Sequence, residues 1–204
     1  MKFQQFSALL TLSLGSLIVW GTPIIPDANN GTGLGDGTDA KPTFYADLGV
    51  ISHKPNNTEV DEYAKKGYES MMDQKPRSDK DTHLMAALYI KAKGLWLCSV
   101  PDGPAIGHIK KGGEDGDAPA WWSQVKDRKP SLHLHAEDCA AFRYENSLKT
   151  KLKAGDKYPE GSYISVYGSV NEQGAKKVSL CSGGGDRPLD PPCSKVFNNL
   201  GVKH

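Results

Sequence analysis

Four cysteines limit what this chain of 204 residues can fold into, since each must end as a thiol, a disulfide or a metal ligand. In an exported protein, four cysteines most often form two disulfides. The candidates for one pair are Cys98 and Cys139, and those for the other are Cys181 and Cys193, which flank a glycine-rich stretch. Thiolates also suit a zinc ion. The cysteines therefore leave two disulfides and a metal centre as competing interpretations.

The first 21 residues have the composition of a secretory signal peptide. Lys2 supplies the positive start, and an apolar stretch follows from Phe6 to Trp20. No later segment approaches the roughly 18 apolar residues that a membrane span needs. We therefore expect residues 1–21 to be removed and the protein to be secreted without a membrane span. The sequons at Asn30 and Asn56 are glycosylation candidates that fit this route.

The charge balance argues against one class of function. The chain has 25 Lys and Arg residues and 24 Asp and Glu residues, and removal of Lys2 with the signal would make the two numbers equal. A dedicated binder of duplex DNA carries a strong basic excess, which this chain lacks. Its local lysine clusters are therefore predicted to be solvated surface.

Composition separates a leader from a single domain. Residues 22–57 begin with a long run of Gly, Asp, Asn, Thr and Pro that holds few large apolar side chains, so they are predicted to be a flexible leader. Residues 58–204 are numerous enough to bury a core and are predicted to form one domain.

Periodicity and turn residues predict the elements of this domain. Helical spacing begins at Thr58, which is expected to cap the first helix with Asp61, and Pro76 ends it. The Gly-, Asp- and Pro-rich residues 101–118 predict a loop. The order helix, hairpin, helix, strands and helix indicates an α/β layered domain. The other predicted elements are a hairpin of residues 83–92 and 95–100, a short helix around 121–122, a helix over 134–148, strands at 163–167 and 178–180, and a last helix from 191 to 200.

Two short motifs combine residues that can hold a metal and move a proton. His135-Ala136-Glu137 lies at the start of one predicted helix, and Pro191-Pro192-Cys193 opens another. Zinc held by three protein ligands keeps an open position at which water is activated. A carboxylate two residues from a ligand can take the proton of that water. The motifs therefore predict a hydrolytic zinc centre.

Three segments carry a resemblance to a known family. Residues 133–141, His-Leu-His-Ala-Glu-Asp-Cys-Ala-Ala, precede the strand-like residues 163–168 and the Pro-Cys segment at 192–202. In this order they resemble the nucleic-acid and nucleoside deaminase superfamily, above all its toxin-associated (YwqJ-like) branch. The resemblance spans roughly residues 84–202. It implies a cytidine-deaminase-like mixed β-sheet with helices on its faces.

The resemblance also implies roles for particular residues. His135 and Cys193 would hold zinc, and Glu137 would shuttle the proton. The family uses Cys-x-x-Cys, whereas Asp190 stands three residues before Cys193 here. Three alternatives remain open: Cys181 supplies the missing thiolate, Asp190 replaces it, or no metal binds because Cys181 and Cys193 form a disulfide.

These alternatives lead to two expectations for function. The first is a secreted zinc-dependent deaminase, a toxin or effector that hydrolyses an exocyclic amine of a base, a nucleoside or a single-stranded nucleic acid. The second is a catalytically inactive, disulfide-stabilised effector that acts by binding a host or competitor protein. The state of Cys181 and Cys193 distinguishes the two.

Overall fold

The structure is a computed structural model, and part of the chain lies outside the residues it describes. The predicted signal peptide, most of the predicted leader, Asn30 and His133 are outside them. Within the described part, no helix is long and apolar enough to cross a membrane. The described residues are 43–51, 53–74, 82–129, 134–170, 173–181 and 190–204.

The described residues form a single α/β domain with five helices and five strands. The helices are α1 (Asn57–Gln74), α2 (Pro104–Glu114), α3 (Pro119–Val125), α4 (Ala136–Ser147) and α5 (Cys193–Asn199). The strands are β1 (Tyr45–Asp47), β2 (His83–Ile90), β3 (Gly94–Ser99), β4 (Tyr163–Ser169) and β5 (Lys176–Val178).

The five strands form one sheet in the order β1-β3-β2-β4-β5, and every pair of neighbours is antiparallel. The implied mixed sheet is therefore wrong for the described strands. A tight turn makes β2 and β3 antiparallel, and β4 pairs antiparallel with the other edge of β2. Strands β3 and β4 run in the same direction, but β2 lies between them, so they do not form a parallel pair. One isolated parallel bridge joins Tyr163 to Lys203.

Helices cover both faces of the sheet, as the predicted layering requires. Alternate side chains of β2 point to opposite faces, and both sets are buried, which explains its nearly continuous apolar sequence. Ala87 belongs to the core under α1, together with Leu97 of β3. Ala86 belongs to the core under α4, together with Cys98 of β3. The second of these cores carries the predicted site residues.

The loop predicted over residues 101–118 is wrong, since α2 occupies most of it. The glycines that suggested a loop instead allow close packing. A Cβ atom on Gly112 would lie 2.7 Å from the ring of Phe142, and one on Gly113 would lie 2.4 Å from the ring of Trp122. Both distances are far below van der Waals contact. Here tertiary packing, and not backbone freedom, accounts for the two glycines.

The segment predicted as leader contributes to the fold near its end. Phe44 is fully buried, and β1 pairs with β3 as an edge strand. The capping residues of α1 also differ from the prediction of Thr58 with Asp61. The Asn56 side chain accepts the Glu59 N–H at 3.0 Å, while the Glu59 carboxylate accepts the Asn56 N–H at 2.7 Å. This reciprocal pair satisfies two donors at the helix start, and it leaves the glycosylation candidate Asn56 exposed.

Candidate metal centre

His135 and Glu137 lie at the start of α4, as predicted. His135 is the N-cap residue, with extended backbone angles of φ −101° and ψ 173°. Glu137 is in the first turn, so the two side chains leave the chain at the point where it enters the helix. A disulfide between Cys98 and Cys139 ties this turn to β3. The first of the two predicted cysteine pairs is therefore confirmed.

The second pair of cysteines lies on the segments that lead out of β5 and into α5. Cys193 is the first residue of α5, and Cys181 follows β5. The Cys193 N–H donates to Cys181 Sγ at 2.9 Å, and the Ser194 N–H donates to the Cys181 carbonyl at 3.1 Å. Both thiols are free. The start of α5 thus holds the sulfur of Cys181 beside that of Cys193.

His135, Cys181 and Cys193 meet in one group that could hold a metal ion. Cys193 Sγ lies 3.3 Å from His135 Nδ1, and all three ligand atoms lie within 4.8 Å of one another. Tetrahedral ligands at zinc–sulfur and zinc–nitrogen distances of about 2.3 and 2.0 Å stand about 3.5–3.8 Å apart. Small side-chain adjustments would therefore let these residues enclose an ion of that size.

Asp190, the alternative ligand, is not part of this group. It is exposed, and its backbone N–H and C=O form hydrogen bonds of 3.0 and 2.9 Å with Lys129. The structure therefore brings Cys181, and not Asp190, to His135 and Cys193. The role of Asp190 among the described residues is to fix the chain just before the two prolines that lead into α5.

The three candidate ligands shift one another's pKa values. The hydrogen bond with Cys193 lowers the pKa of Cys181 to about 5, against the opposing effect of burial and with further help from His135. Burial acts to lower the pKa of His135, but Cys181 and the carboxylates of Glu137 and Asp138 raise it to about 9. The pKa of Cys193 is raised by its hydrogen bond with Cys181 and by burial. A divalent ion would bind the deprotonated forms of these side chains, so its binding would release the protons that the two thiols and the imidazole still carry.

Glu137 is a buried carboxylate whose surroundings differ from those of the other acids of α4. It is 3% exposed, and its Oε2 has no hydrogen-bond partner within the described part of the chain. Burial raises its pKa to about 7, although the nearby His135 opposes the shift. Buried polar atoms are almost always paired, so an unpaired one near the ligand group makes Glu137 a candidate functional residue.

Sequence reasoning missed a buried ion pair under the centre. Asp138 is fully buried and accepts three hydrogen bonds, from the Arg128 guanidinium at 2.7 Å, the His135 N–H at 2.9 Å and the Trp121 indole at 3.0 Å. An acidic residue three positions after a helix cap is a recognisable signal for the bond to His135. No signal in the sequence marks Arg128 as its partner, because the two meet only through the packing of α3 against α4.

No family model, curated protein or solved structure matches this chain. Its class is therefore defined by its own fold and site. It is an α/β domain with a five-stranded antiparallel sheet, a buried disulfide and a His-Cys-Cys group that could hold a metal ion.

Proposed function

We propose that this protein is a secreted zinc-dependent deaminase that hydrolyses an exocyclic amine of a base or nucleoside, free or in a single-stranded nucleic acid, as a toxin or effector. One observation carries the proposal. The His135, Cys181 and Cys193 ligand atoms converge within 4.8 Å next to a buried carboxylate, Glu137, one oxygen of which has no hydrogen-bond partner among the described residues. A ligand set and a proton carrier on adjoining elements are the two parts that this hydrolysis needs.

The donor set suits zinc better than the hard cations. Two thiols and an imidazole are soft to borderline ligands, whereas magnesium and calcium prefer oxygen. Three protein ligands leave a fourth tetrahedral position for water and substrate. When bound there, zinc activates water for attack on carbon at neutral pH.

Glu137 supplies the proton transfers. Its Oε2 accepts a proton from the attacking water and returns it to the departing amine, which leaves as ammonia. One C–O bond forms and one C–N bond breaks, and the second proton of the water passes from the new hydroxyl to the adjacent ring nitrogen. Water and the amine thus give a carbonyl compound and ammonia without an oxidant or reductant. Burial of Glu137 serves this step, because it keeps bulk water from competing for the proton.

The disulfide is consistent with export. Cys98 and Cys139 are both fully buried and joined, which is typical of proteins that fold in an oxidising compartment. Zinc would keep Cys181 and Cys193 from pairing in the same compartment, since metal-bound thiolates are poor partners for exchange. The two cysteine pairs would then have separate tasks, one structural and one in the reaction centre.

Thiol counting, metal analysis and ammonia release test the proposal together. We expect two free thiols and one disulfide in the denatured, unreduced protein, one equivalent of zinc, and ammonia release from some member of a panel of bases, nucleosides and single-stranded oligonucleotides. Glu137→Gln should abolish ammonia release and retain zinc. Glu145→Gln is the matched control, because Glu145 is a buried carboxylate of the same helix that accepts hydrogen bonds from Ala120, Trp121 and Tyr158 rather than from the ligand residues.

Other outcomes would refute the proposal. Four blocked thiols without zinc would mean that Cys181 and Cys193 form a disulfide, which supports the alternative of an inactive effector that binds a host or competitor protein. Unchanged ammonia release in Glu137→Gln would remove Glu137 from the reaction.

A further inference from the structure

We infer that the buried Asp138–Arg128 ion pair has a positioning role. It holds the two sides of the metal centre, His135 at the start of α4 and Cys193 at the start of α5, in place relative to each other before a metal binds. The inference rests on the proposed zinc site and adds residues to it that the sequence motifs do not contain. Its basis is a continuous series of short contacts that begins at His135, passes through Asp138 and Arg128, and ends at the segment that carries Cys193.

The first half of the series fixes His135. Asp138 Oδ2 accepts the His135 backbone N–H at 2.9 Å. Since His135 is the N-cap, this bond helps to set the backbone angles at which the chain enters α4, and with them the direction of the His135 Cα–Cβ bond. Asp138 is itself held by the Trp121 indole, which donates to Oδ1 at 3.0 Å. The backbone from which the ligand ring projects is therefore held in place, and the ring itself contacts Cys193 Sγ at 3.3 Å.

The second half fixes the approach to Cys193. Arg128 donates to Asp138 Oδ2 at 2.7 Å, with both side chains fully buried. The next residue, Lys129, forms a two-bond antiparallel bridge with Asp190. Only two prolines separate Asp190 from Cys193, and proline has one soft backbone angle fewer than other residues. The position of Arg128 thus constrains the position of Cys193 at the start of α5.

If the Asp138–Arg128 pair served only the stability of the fold, it would not need to lie between His135 and the segment that leads to Cys193. Glu145 is an equally buried carboxylate of α4 that also receives three hydrogen bonds, from the N–H groups of Ala120 and Trp121 and from the Tyr158 hydroxyl. It joins α3 to α4 as Asp138 does, but these three hydrogen bonds go to residues other than His135 and Arg128. Substitutions at these two carboxylates can therefore distinguish an effect on the stability of the fold from an effect on the geometry of the metal centre.

The test measures zinc affinity of the full chain by competition with a chelator, and the cobalt-to-thiolate absorption of the cobalt-loaded protein. Loss of an outer hydrogen-bond partner typically weakens metal binding about 10- to 100-fold. We expect a loss of that size for Asp138→Asn, together with a shifted cobalt spectrum. Glu145→Gln should bind zinc as the unsubstituted protein does and give its spectrum, although both variants lower the denaturation midpoint.

The possible results distinguish a failure of the positioning role from a failure of the zinc site. Unchanged affinity in Asp138→Asn, or equal weakening in both variants, would overturn the positioning role while the zinc site stands. If the unsubstituted protein bound no metal, the proposed function and this inference would fall together. If Asp138→Asn did not fold, Trp121→Phe would replace it, because it removes the indole donor to Asp138 Oδ1 and keeps a smaller ring against Phe142. Unchanged zinc affinity in that variant would also overturn the inference.

Discussion

The glycines of α2 give a prediction in which one substitution has opposite effects at two positions of the same helix. Alanine in place of an exposed helical glycine stabilises a protein by about 0.5–1 kcal/mol. Gly107 is exposed, and a Cβ atom there would meet no atom of the described residues within 4 Å. We therefore expect Gly107→Ala to raise the free energy of unfolding by about this amount.

Gly112→Ala should have the opposite sign. Its Cβ would lie 2.7 Å from two ring atoms of Phe142, which is about 1 Å inside normal carbon–carbon contact. Phe142 is 2% exposed and packs edge to face on Trp121, so the ring has no room to retreat. Overpacking of this kind costs about 1–3 kcal/mol. After the gain in helix propensity is subtracted, a net loss of up to about 2 kcal/mol remains.

Equilibrium urea unfolding, followed by tryptophan fluorescence and far-ultraviolet circular dichroism, measures both effects. Gly113→Ala offers an intermediate case, because its neighbour Trp122 is only partly buried and can move outwards. Equal stabilisation by Gly107→Ala and Gly112→Ala would refute the argument, since it would mean that α2 is not packed against Phe142.

Two further predictions concern the disulfide and the cap of α1. Replacing both Cys98 and Cys139 by alanine frees a loop with a sequence separation of 41 and should cost about 4 kcal/mol on the chain-entropy model, whereas a loss below about 1 kcal/mol in urea unfolding would contradict it. The backbone N–H of Asn56, with a contribution from His53, lowers the pKa of Glu59 below its ordinary 4.5. The ionised Glu59 therefore stabilises the fold above that pH, and its effect is lost as the pH falls through the lowered pKa. Glu59→Gln should lower the denaturation midpoint at pH 7 and by progressively less as the pH falls below 4.5, and parallel pH profiles of the two proteins would contradict this.

Local sequence was sufficient to predict the helices and strands that depend on interactions between residues close together in the chain. Alternating and continuous apolar runs gave the hairpin of β2 and β3, and the absence of glycine and proline indicated α4. The last helix follows two prolines and ends before Gly201, whose φ of +76° favours glycine, so its bounds could be predicted nearly as they are. The same rules failed for α2, because they assign Gly112 and Gly113 to backbone freedom when packing requires them.

For the candidate site, the sequence by itself determined the residue types and the elements that carry them. The motif placed His135 and Glu137 at a helix start and Cys193 at another, because caps and prolines act within a few residues. The choice between Cys181 and Asp190 was left to the tertiary structure. It depends on which side chain the packing of α5 turns towards His135, and the backbone pairing of Asp190 with Lys129 turns that residue to solvent. The Asp138–Arg128 pair was likewise invisible in the sequence, since a buried charge finds its partner only when two distant segments are packed together.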